Sequence, residues 1–184
     1  MFPPPPAITR RIAALLAATA LGAAACAPAR ADEQGEITRL AAAGQTGEAL
    51  ARLDRLLEQR PRDPQLRFQK GVILAESQHP AEAKEIFAKL TDDYPEIPEP
   101  HNNLAVLYAA SGDYDKARAA LDAALRANPN YAVAHQNMGD IYAQLARLSY
   151  MRALQLDPSN AAVPPKLALL RELIKPAAPA SSAR

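Results

Sequence analysis

Cysteine, glycine and aromatic residues are scarce in this chain of 184 residues, which has one Cys, seven Gly, no Trp and 5% aromatic residues. A single cysteine excludes a disulfide framework within the chain. The hydrophobic share of 49% comes mainly from Ala and Leu, which favour helices over strands. The composition therefore predicts one all-α domain whose stability comes from packing.

A basic run is lacking as well. Three of the 21 Lys and Arg residues, namely Arg10, Arg11 and Arg30, precede the first acidic residue, Asp32. Without residues 1–31 the chain keeps 18 basic and 20 acidic side chains, and its formal charge changes from +1 to −2. A nearly neutral chain without a basic patch gives no electrostatic reason to expect a nucleic-acid partner.

Residues 1–31 have the pattern of an export signal. Arg10 and Arg11 precede an apolar stretch of 14 residues, from Ile12 to Ala25, which is too short to cross a bilayer comfortably. The tripeptide 29–31, Ala-Arg-Ala, matches the A-x-A pattern of signal peptidase sites, and the chain turns polar directly after it. We expect cleavage near Ala31 and a periplasmic location.

The one cysteine gives an alternative. Residues 23–26, Ala-Ala-Ala-Cys, resemble a bacterial lipobox, although Ala23 stands where such boxes usually carry Leu. Lipidation at Cys26 would make the protein an outer-membrane lipoprotein, and only in that case do we expect contact with a membrane. Arg10-Arg11 also resembles a twin-arginine signal, with Ala13 a poor match to it.

Four series of residues recur at a spacing of 34, which is the decisive feature of the sequence. They are Pro61, Pro95 and Pro129; Ala49, Ala83 and Ala117; Leu53, Phe87 and Leu121; and Leu40, Leu74 and Tyr108. In a helix-turn-helix unit, small residues such as Gly71, Ala105 and Gly139 let two helices approach closely. Gly44 and Gly112 suit the turn between the helices because glycine tolerates positive φ.

The pattern resembles the tetratricopeptide repeat (TPR). One copy is carried by Ala105, Tyr108, Gly112, Ala117, Leu121, Ala124 and Pro129, and the preceding copy by Gly71, Leu74, Ala83, Phe87 and Pro95. The resemblance covers about residues 34–160 and implies an all-α solenoid. It departs from the family where Arg67, His101 and His135 replace the frequent Trp and where Lys70 replaces an apolar residue.

The repeats divide the chain into a truncated unit 32–63, two regular units 64–97 and 98–131, a degenerate fourth unit 132–160, a capping helix within 161–176 and a disordered tail 177–184. We expect paired helices near 34–43 and 46–59, 64–77 and 80–93, and 98–110 and 114–127. Asp63-Pro64 and His79-Pro80 are expected cap-and-proline starts. The capping helix should run over about 164–175.

The fourth unit is shorter than the 34-residue repeat. Ala146, Tyr150, Ala153 and Pro158 follow their counterparts in the third unit by 29 residues instead of 34. The five missing residues fall where the turn between helices should be, so the sequence predicts one continuous helix from about Tyr131 to Leu156. A tight turn near 143–148 is the alternative. A straight helix needs another partner for its second half, either the capping helix or a second copy in a homodimer.

The resemblance implies that the first helices of the repeats form a concave groove for a protein or peptide partner. The groove positions are Phe68, Val72, Glu76, Asn102, Val106, Ala109, Gln136 and Asp140. Their amides and small apolar side chains suit an extended or helical peptide. Asn103 and Asn137 are expected to bond between repeats. Phe68, Asn102, Gln136, Val72 and Val106 replace the Lys and Asn of TPR proteins that clamp chaperone carboxylates, which excludes that ligand.

No catalytic set emerges from the sequence. His101 and His135 occupy equivalent positions in adjacent repeats, but no cysteine or group of carboxylates accompanies them to complete a metal site, so we interpret them as packing residues. We expect no enzyme activity and no cofactor. Two functions stay open: a peptide- or protein-binding adaptor of the bacterial cell envelope, and a structural oligomeriser that self-associates through its long fourth-unit helix.

Overall fold

The computed structural model describes residues 26–174, which form eight α-helices and no strand. The helices are α1 Cys26–Ala42, α2 Thr46–Gln59, α3 Pro64–Glu76, α4 Pro80–Asp93, α5 Pro98–Ala110, α6 Tyr114–Ala127, α7 Ala132–Leu156 and α8 Val163–Ile174. The all-α prediction is confirmed. Residues 1–25, which hold most of the predicted export signal, and the predicted tail 177–184 lie outside the described residues.

The chain divides into two compact units, one up to Pro61 and one from Arg62 onward. In the first unit, α1 and α2 form a helical hairpin whose buried side chains include Ile37, Leu40, Ala49 and Leu53. Helix α1 begins at Cys26, eight residues before the predicted start, and continues through Ala31. The turn passes through Gly44 at φ +75°, the backbone conformation that the glycine was predicted to supply.

In the compact part of the chain that begins at Arg62, α3 pairs with α4 and α5 pairs with α6. Helix α3 starts as predicted: the Asp63 carboxylate accepts hydrogen bonds from the backbone N–H groups of Gln65 and Leu66. Helix α4 also starts with proline, but the His79 side chain makes no cap hydrogen bond, so that part of the cap prediction is wrong. A histidine ring is longer and stiffer than the Asp side chain that reaches back at the other start.

Close packing inside the α3–α4 pair depends on a small residue. A Cβ atom placed on Gly71 would lie 2.7 Å from the ring of Phe87, which is fully buried. In the next pair, Ala117, Leu121 and Ala124 are fully buried in the core that the two helices share with the start of α7. The alanine series and the Leu/Phe series that recur every 34 positions therefore pack inside the pairs, whereas the recurring prolines are exposed.

The fourth unit is one continuous helix of 25 residues, α7, as its shortened sequence predicts. The N-terminal half of α7 packs on α5 and α6 through Ala134, Met138 and Ile141. Helix α8 then packs on α7, where Lys166 Nζ lies 5.2 Å from the centre of the Tyr150 ring. The hairpin of the preceding units is absent from residues 132–156.

Candidate functional site

Helices α3, α5 and α7 are the first helices of successive units, and each contacts the next. The surface that we call the first-helix face is defined by Phe68, Val72, Glu76, Asn102, Val106, Ala109, Gln136 and Asp140, of which all but Glu76 and Ala109 form two series spaced by 34 residues. These are the residues that the resemblance assigns to a groove. The structure brings some of them together and separates others.

Two asparagines join α5 to α7. The Asn137 side-chain N–H donates a hydrogen bond to Asn102 Oδ1 over 2.8 Å, and only 5% of the Asn102 surface is exposed. Asn137 therefore bonds between repeats as predicted. The prediction that Asn102 lines an open groove is wrong, because a buried amide needs a partner inside the protein and finds it in Asn137. Asn103 donates to the Glu99 carbonyl of its own helix, so its predicted inter-repeat bond is also wrong.

The two equivalent histidines each form a hydrogen bond to the proline that ends the preceding repeat. His101 Nε2 lies 3.1 Å from the carbonyl oxygen of Pro95, and His135 Nε2 lies 2.9 Å from that of Pro129. A carbonyl oxygen only accepts, so Nε2 carries the hydrogen in both rings. Each ring holds the start of a first helix against the proline turn before it. Their role in this structure is thus packing.

A cavity of about 380 Å³ opens where α3 and α5 begin. It is lined by Pro64, Gln65, Phe68, Leu90, Ile97, Glu99 and Pro100. Phe68 is the one predicted groove residue among them, and its ring lies 5.6 Å from that of Phe87. The other members were missed because they belong to helix starts, to a loop and, for Leu90, to the second helix α4, none of which the repeat pattern assigns to a groove. The prolines at the two equivalent helix starts, Pro64 and Pro98, were the available signal.

A second cavity, of about 180 Å³, lies between α5 and α7. It is lined by Ala105, Val106, Ala109, Leu121, Asn137, Asp140 and Ile141. Three predicted groove residues, Val106, Ala109 and Asp140, meet here, and 49% of the Val106 surface is exposed. Val72, Glu76 and Gln136 line neither of these two cavities. The site is therefore narrower than the predicted groove.

Carboxylates give both cavities a negative edge. Glu99 belongs to the larger cavity and Asp140 to the smaller. Partial burial, with a smaller contribution from the charge of Glu99, raises the pKa of Tyr131 above its ordinary value of 10.0, since both disfavour a phenolate. The phenol of Tyr131 thus stays neutral over a wide pH range.

Within residues 26–174 the structure contains no group of three or more His, Cys, Asp or Glu side chains placed to hold a metal ion. Of the helices described, none is both long enough and apolar enough to cross a membrane.

The sequence is similar to that of a known human protein. Human tetratricopeptide repeat protein 16 is 29% identical over 150 residues, and this chain spans 17% of its length. The aligned region is 72% of this chain.

Two solved structures have similar folds. A thermophilic TPR protein of Thermus thermophilus superimposes with a TM-score of 0.57 at 24% identity, covering 78% of this chain and 81% of the other. A tetratricopeptide repeat protein of Parabacteroides merdae gives a TM-score of 0.57 at 19% identity, covering 77% of this chain and 59% of the other. The sequence model of the tetratricopeptide repeat matches residues 35–98, 69–132 and 102–161. With most of its length matched in this way, the chain belongs to the tetratricopeptide repeat family.

Proposed function

We propose that this protein is a non-catalytic adaptor of the bacterial cell envelope that binds a protein or peptide segment on the faces of α5 and α7. Proteins of its family are generally interaction adaptors or scaffolds, and they are typically not catalytic. The observation that carries the proposal is the cavity between α5 and α7, where Val106 and Ala109 leave an apolar opening beside the Asp140 carboxylate.

The size and lining of this cavity determine the segment that fits it. A space of about 180 Å³ with Val and Ala walls accepts one aliphatic side chain. The Asp140 carboxylate accepts hydrogen bonds from a backbone N–H group or from a Lys or Arg side chain next to it. The larger cavity has Phe68 for an aromatic or long aliphatic side chain and Glu99 as a second acceptor. The segment we expect combines apolar anchors with basic residues.

The same lining disfavours a C-terminal carboxylate as ligand. The residues at the clamp positions of the family are Phe68, Asn102, Gln136, Val72 and Val106, and none of them carries a positive charge. A ligand carboxylate would instead meet Glu99 and Asp140, and like charges repel. The acidic edge therefore selects against the chaperone tails that some members of the family bind.

Location is part of the proposal. The pattern of residues 1–31 supports export and cleavage near Ala31, which leaves the protein in the periplasm. The alternative is an outer-membrane lipoprotein held through Cys26. In both cases the repeats act outside the cytoplasm.

Binding to a peptide array separates the site from the rest of the surface. We expect the full-length chain to retain peptides with an aliphatic residue near Lys or Arg, and Val106→Glu to weaken that binding about tenfold or more, because a charge fills the apolar opening. Val133→Glu is the matched control: Val133 is also a valine of a first helix, with 50% of its surface exposed, and it lines neither cavity. Equal loss in both variants, or retention in both, would contradict the proposed site.

A further inference from the structure

The fourth unit leaves both halves of α7 without the helix that each would contact in a regular repeat. In the third unit, Ala105 of the first helix is buried, and Ala117, Leu121 and Ala124 of the second are fully buried. Their counterparts in α7 are Gly139, which is exposed, and Ala146, Tyr150 and Ala153, which are half-buried. The first half lacks a second helix. The second half lacks a first helix of its own unit, and it contacts α8, whose Lys166 Nζ lies 5.2 Å from the centre of the Tyr150 ring.

The open positions form one stripe along α7. His135, Gly139, Tyr142, Ala146, Tyr150 and Ala153 are separated by 4, 3, 4, 4 and 3 residues, which places them on one side of a helix with 3.6 residues per turn. The side that packs on α5 and α6 through Ala134, Met138 and Ile141 lies about 100° round the helix from this stripe. We call this set the α7 stripe. Its most exposed large member, Tyr142, has 53% of its surface accessible.

Gly139 lacks the aromatic neighbour that its equivalent in the second repeat has. In the second unit the equivalent residue is Gly71, where an added Cβ atom would lie 2.7 Å from the Phe87 ring. At Gly139 an added Cβ atom meets nothing within 4 Å. The aromatic residue at the Phe87 position of the fourth unit is Tyr150, which lies 11 residues further along the same straight helix, about 16 Å away at 1.5 Å per residue. Within one copy the two residues cannot meet.

We propose that a second copy of this chain completes the fourth unit, with the two α7 helices packed antiparallel around a twofold axis at the level of Gln144. In this arrangement Gly139 of each copy lies opposite Tyr150 of the other, Tyr142 opposite Ala146, and His135 opposite Ala153. Each pair joins a small residue to a large one, as Gly71 and Phe87 are joined within the second unit. The interface is isologous, so both copies use the same surface.

Two charged residues match the same alignment. Asp140 and Arg147 each follow a member of the α7 stripe by one residue and are seven residues apart, so the antiparallel arrangement places Asp140 of each copy at the level of Arg147 of the other. Asp140 is exposed. The Arg147 guanidinium contacts only uncharged groups in the contacts described for it, Gln144 Oε1 and Met151 Sδ of its own helix. Two ion pairs related by the twofold axis follow from one alignment.

The area is at the lower limit for a specific dimer. From His135 to Ala153 the stripe is about 27 Å long. Tyr142 of each copy, with 53% of its surface accessible, adds more to the contact than Tyr150, which is already half-buried within its own chain. The total surface covered on both copies is about 1,000 Å², where specific interfaces begin. We therefore expect a reversible dimer with a dissociation constant in the micromolar range, about 1–100 µM.

Analytical ultracentrifugation of the full-length chain tests the dimer. We expect the wild type to change from monomer to dimer between about 1 and 200 µM. Gly139→Gln should weaken association about tenfold or more, because the new side chain occupies the space that Tyr150 of the second copy requires. The monomer has room at this position, and Gln favours helix over Gly, so circular dichroism should show an unchanged fold. Leu169→Gln is the control, since it removes an exposed apolar side chain of α8 outside the stripe.

Charge reversal tests the alignment itself. Asp140→Arg and Arg147→Asp should each weaken self-association, since each brings like charges together. An equimolar mixture of the two variants should form a heterodimer as tightly as the wild type forms its dimer, because the reversed charges then meet in opposite pairs. A wild type that stays monomeric throughout, a dimer that Gly139→Gln leaves intact, or a mixture that stays monomeric would overturn the proposal. Asp140 belongs to both proposed sites, so two other variants separate them: Gly139→Gln changes a residue that lines neither cavity, and Val106→Glu should leave the dimer unchanged.

Discussion

At the scale of the residue, the smallest side chains hold the repeats together. Gly71 belongs to the first helix of a pair, and it is glycine because the Phe87 ring occupies the space where a Cβ atom would lie. The same position carries alanine in the third unit and glycine in the fourth, and at that second glycine, Gly139, an added Cβ atom meets nothing within 4 Å. Equivalent positions of the repeat therefore differ in the size of side chain that they can hold.

Gly71→Ala should lower the free energy of unfolding by about 1–2 kcal/mol, since forcing a methyl group against a packed ring outweighs the gain in helix propensity. Gly139→Ala should raise it by about 0.5–1 kcal/mol, because the new methyl group meets nothing and the helix gains propensity. Urea unfolding at a single protein concentration measures both. The packing argument fails if the two variants change stability in the same direction.

The turns between paired helices have the same backbone conformation although their residue types differ. Gly44, Gln78 and Gly112 are spaced by 34 and all have positive φ, at 75°, 65° and 79°. The glycines predicted their turns, whereas Gln78 carries no such signal in its side chain. The backbone hydrogen bond from His79 N–H to the Leu74 carbonyl, 2.9 Å long, closes this turn as its equivalents close the others. Tertiary pairing of α3 with α4 imposes the conformation there.

At the scale of the element, α7 follows from what the sequence lacks. The third unit has a glycine turn between Tyr108 and Ala117, whereas the fourth has only three residues between the equivalent Tyr142 and Ala146. Residues 141–148 contain no Gly, Pro or Asn, so the helix continues. The prediction of one helix was reliable because it depended on local propensity and on a count of residues.

Restoring the turn should convert α7 into a hairpin. Insertion of a copy of residues 110–114, Ala-Ser-Gly-Asp-Tyr, between Ala143 and Gln144 restores the spacing of 34. We expect the second half to fold back on the first, which buries Tyr150 against Gly139 in the same chain and raises the melting temperature by about 2–8 °C, equivalent to about 1 kcal/mol.

Five alanines inserted at the same place are the control for the hairpin. They favour helix and turn the second half out of line with the first, so they should weaken the dimer without raising the melting temperature. A hairpin insertion that leaves both the melting temperature and the dimer unchanged would contradict this account. Sedimentation and thermal unfolding measure the two quantities.

At the scale of the whole molecule, location and charge are linked. The predicted signal carries three of the basic residues, and its removal changes the formal charge from +1 to −2. The acidic edges at Glu99 and Asp140 then lie on a slightly acidic protein. Long-range attraction should thus favour basic partner segments, and it should weaken as salt is added.

The N-terminus of the processed protein decides between the two proposed locations. Cleavage near Ala31 predicts an intact mass that begins at Asp32, and Cys26→Ser should leave this mass change and the location unaltered. Lipidation predicts a chain that begins at Cys26 with added acyl mass, which Cys26→Ser should abolish. Mass spectrometry of protein recovered from envelope fractions measures this. A chain that keeps Met1 and stays in the cytoplasm would contradict export.

The sequence by itself determined the repeats, the helices and the long α7, because the period of 34, the helix propensities and the missing turn are local properties. Tertiary structure alone decided which side chains are accessible. Asn102 and Gln136 are equivalent in the repeat, yet Asn102 is buried by its bond to Asn137 whereas Gln136 is exposed, since the unit that would follow the fourth is not a regular pair. The two cavities depend on such contacts between units, and so a repeat pattern predicts the faces of helices better than the openings between them.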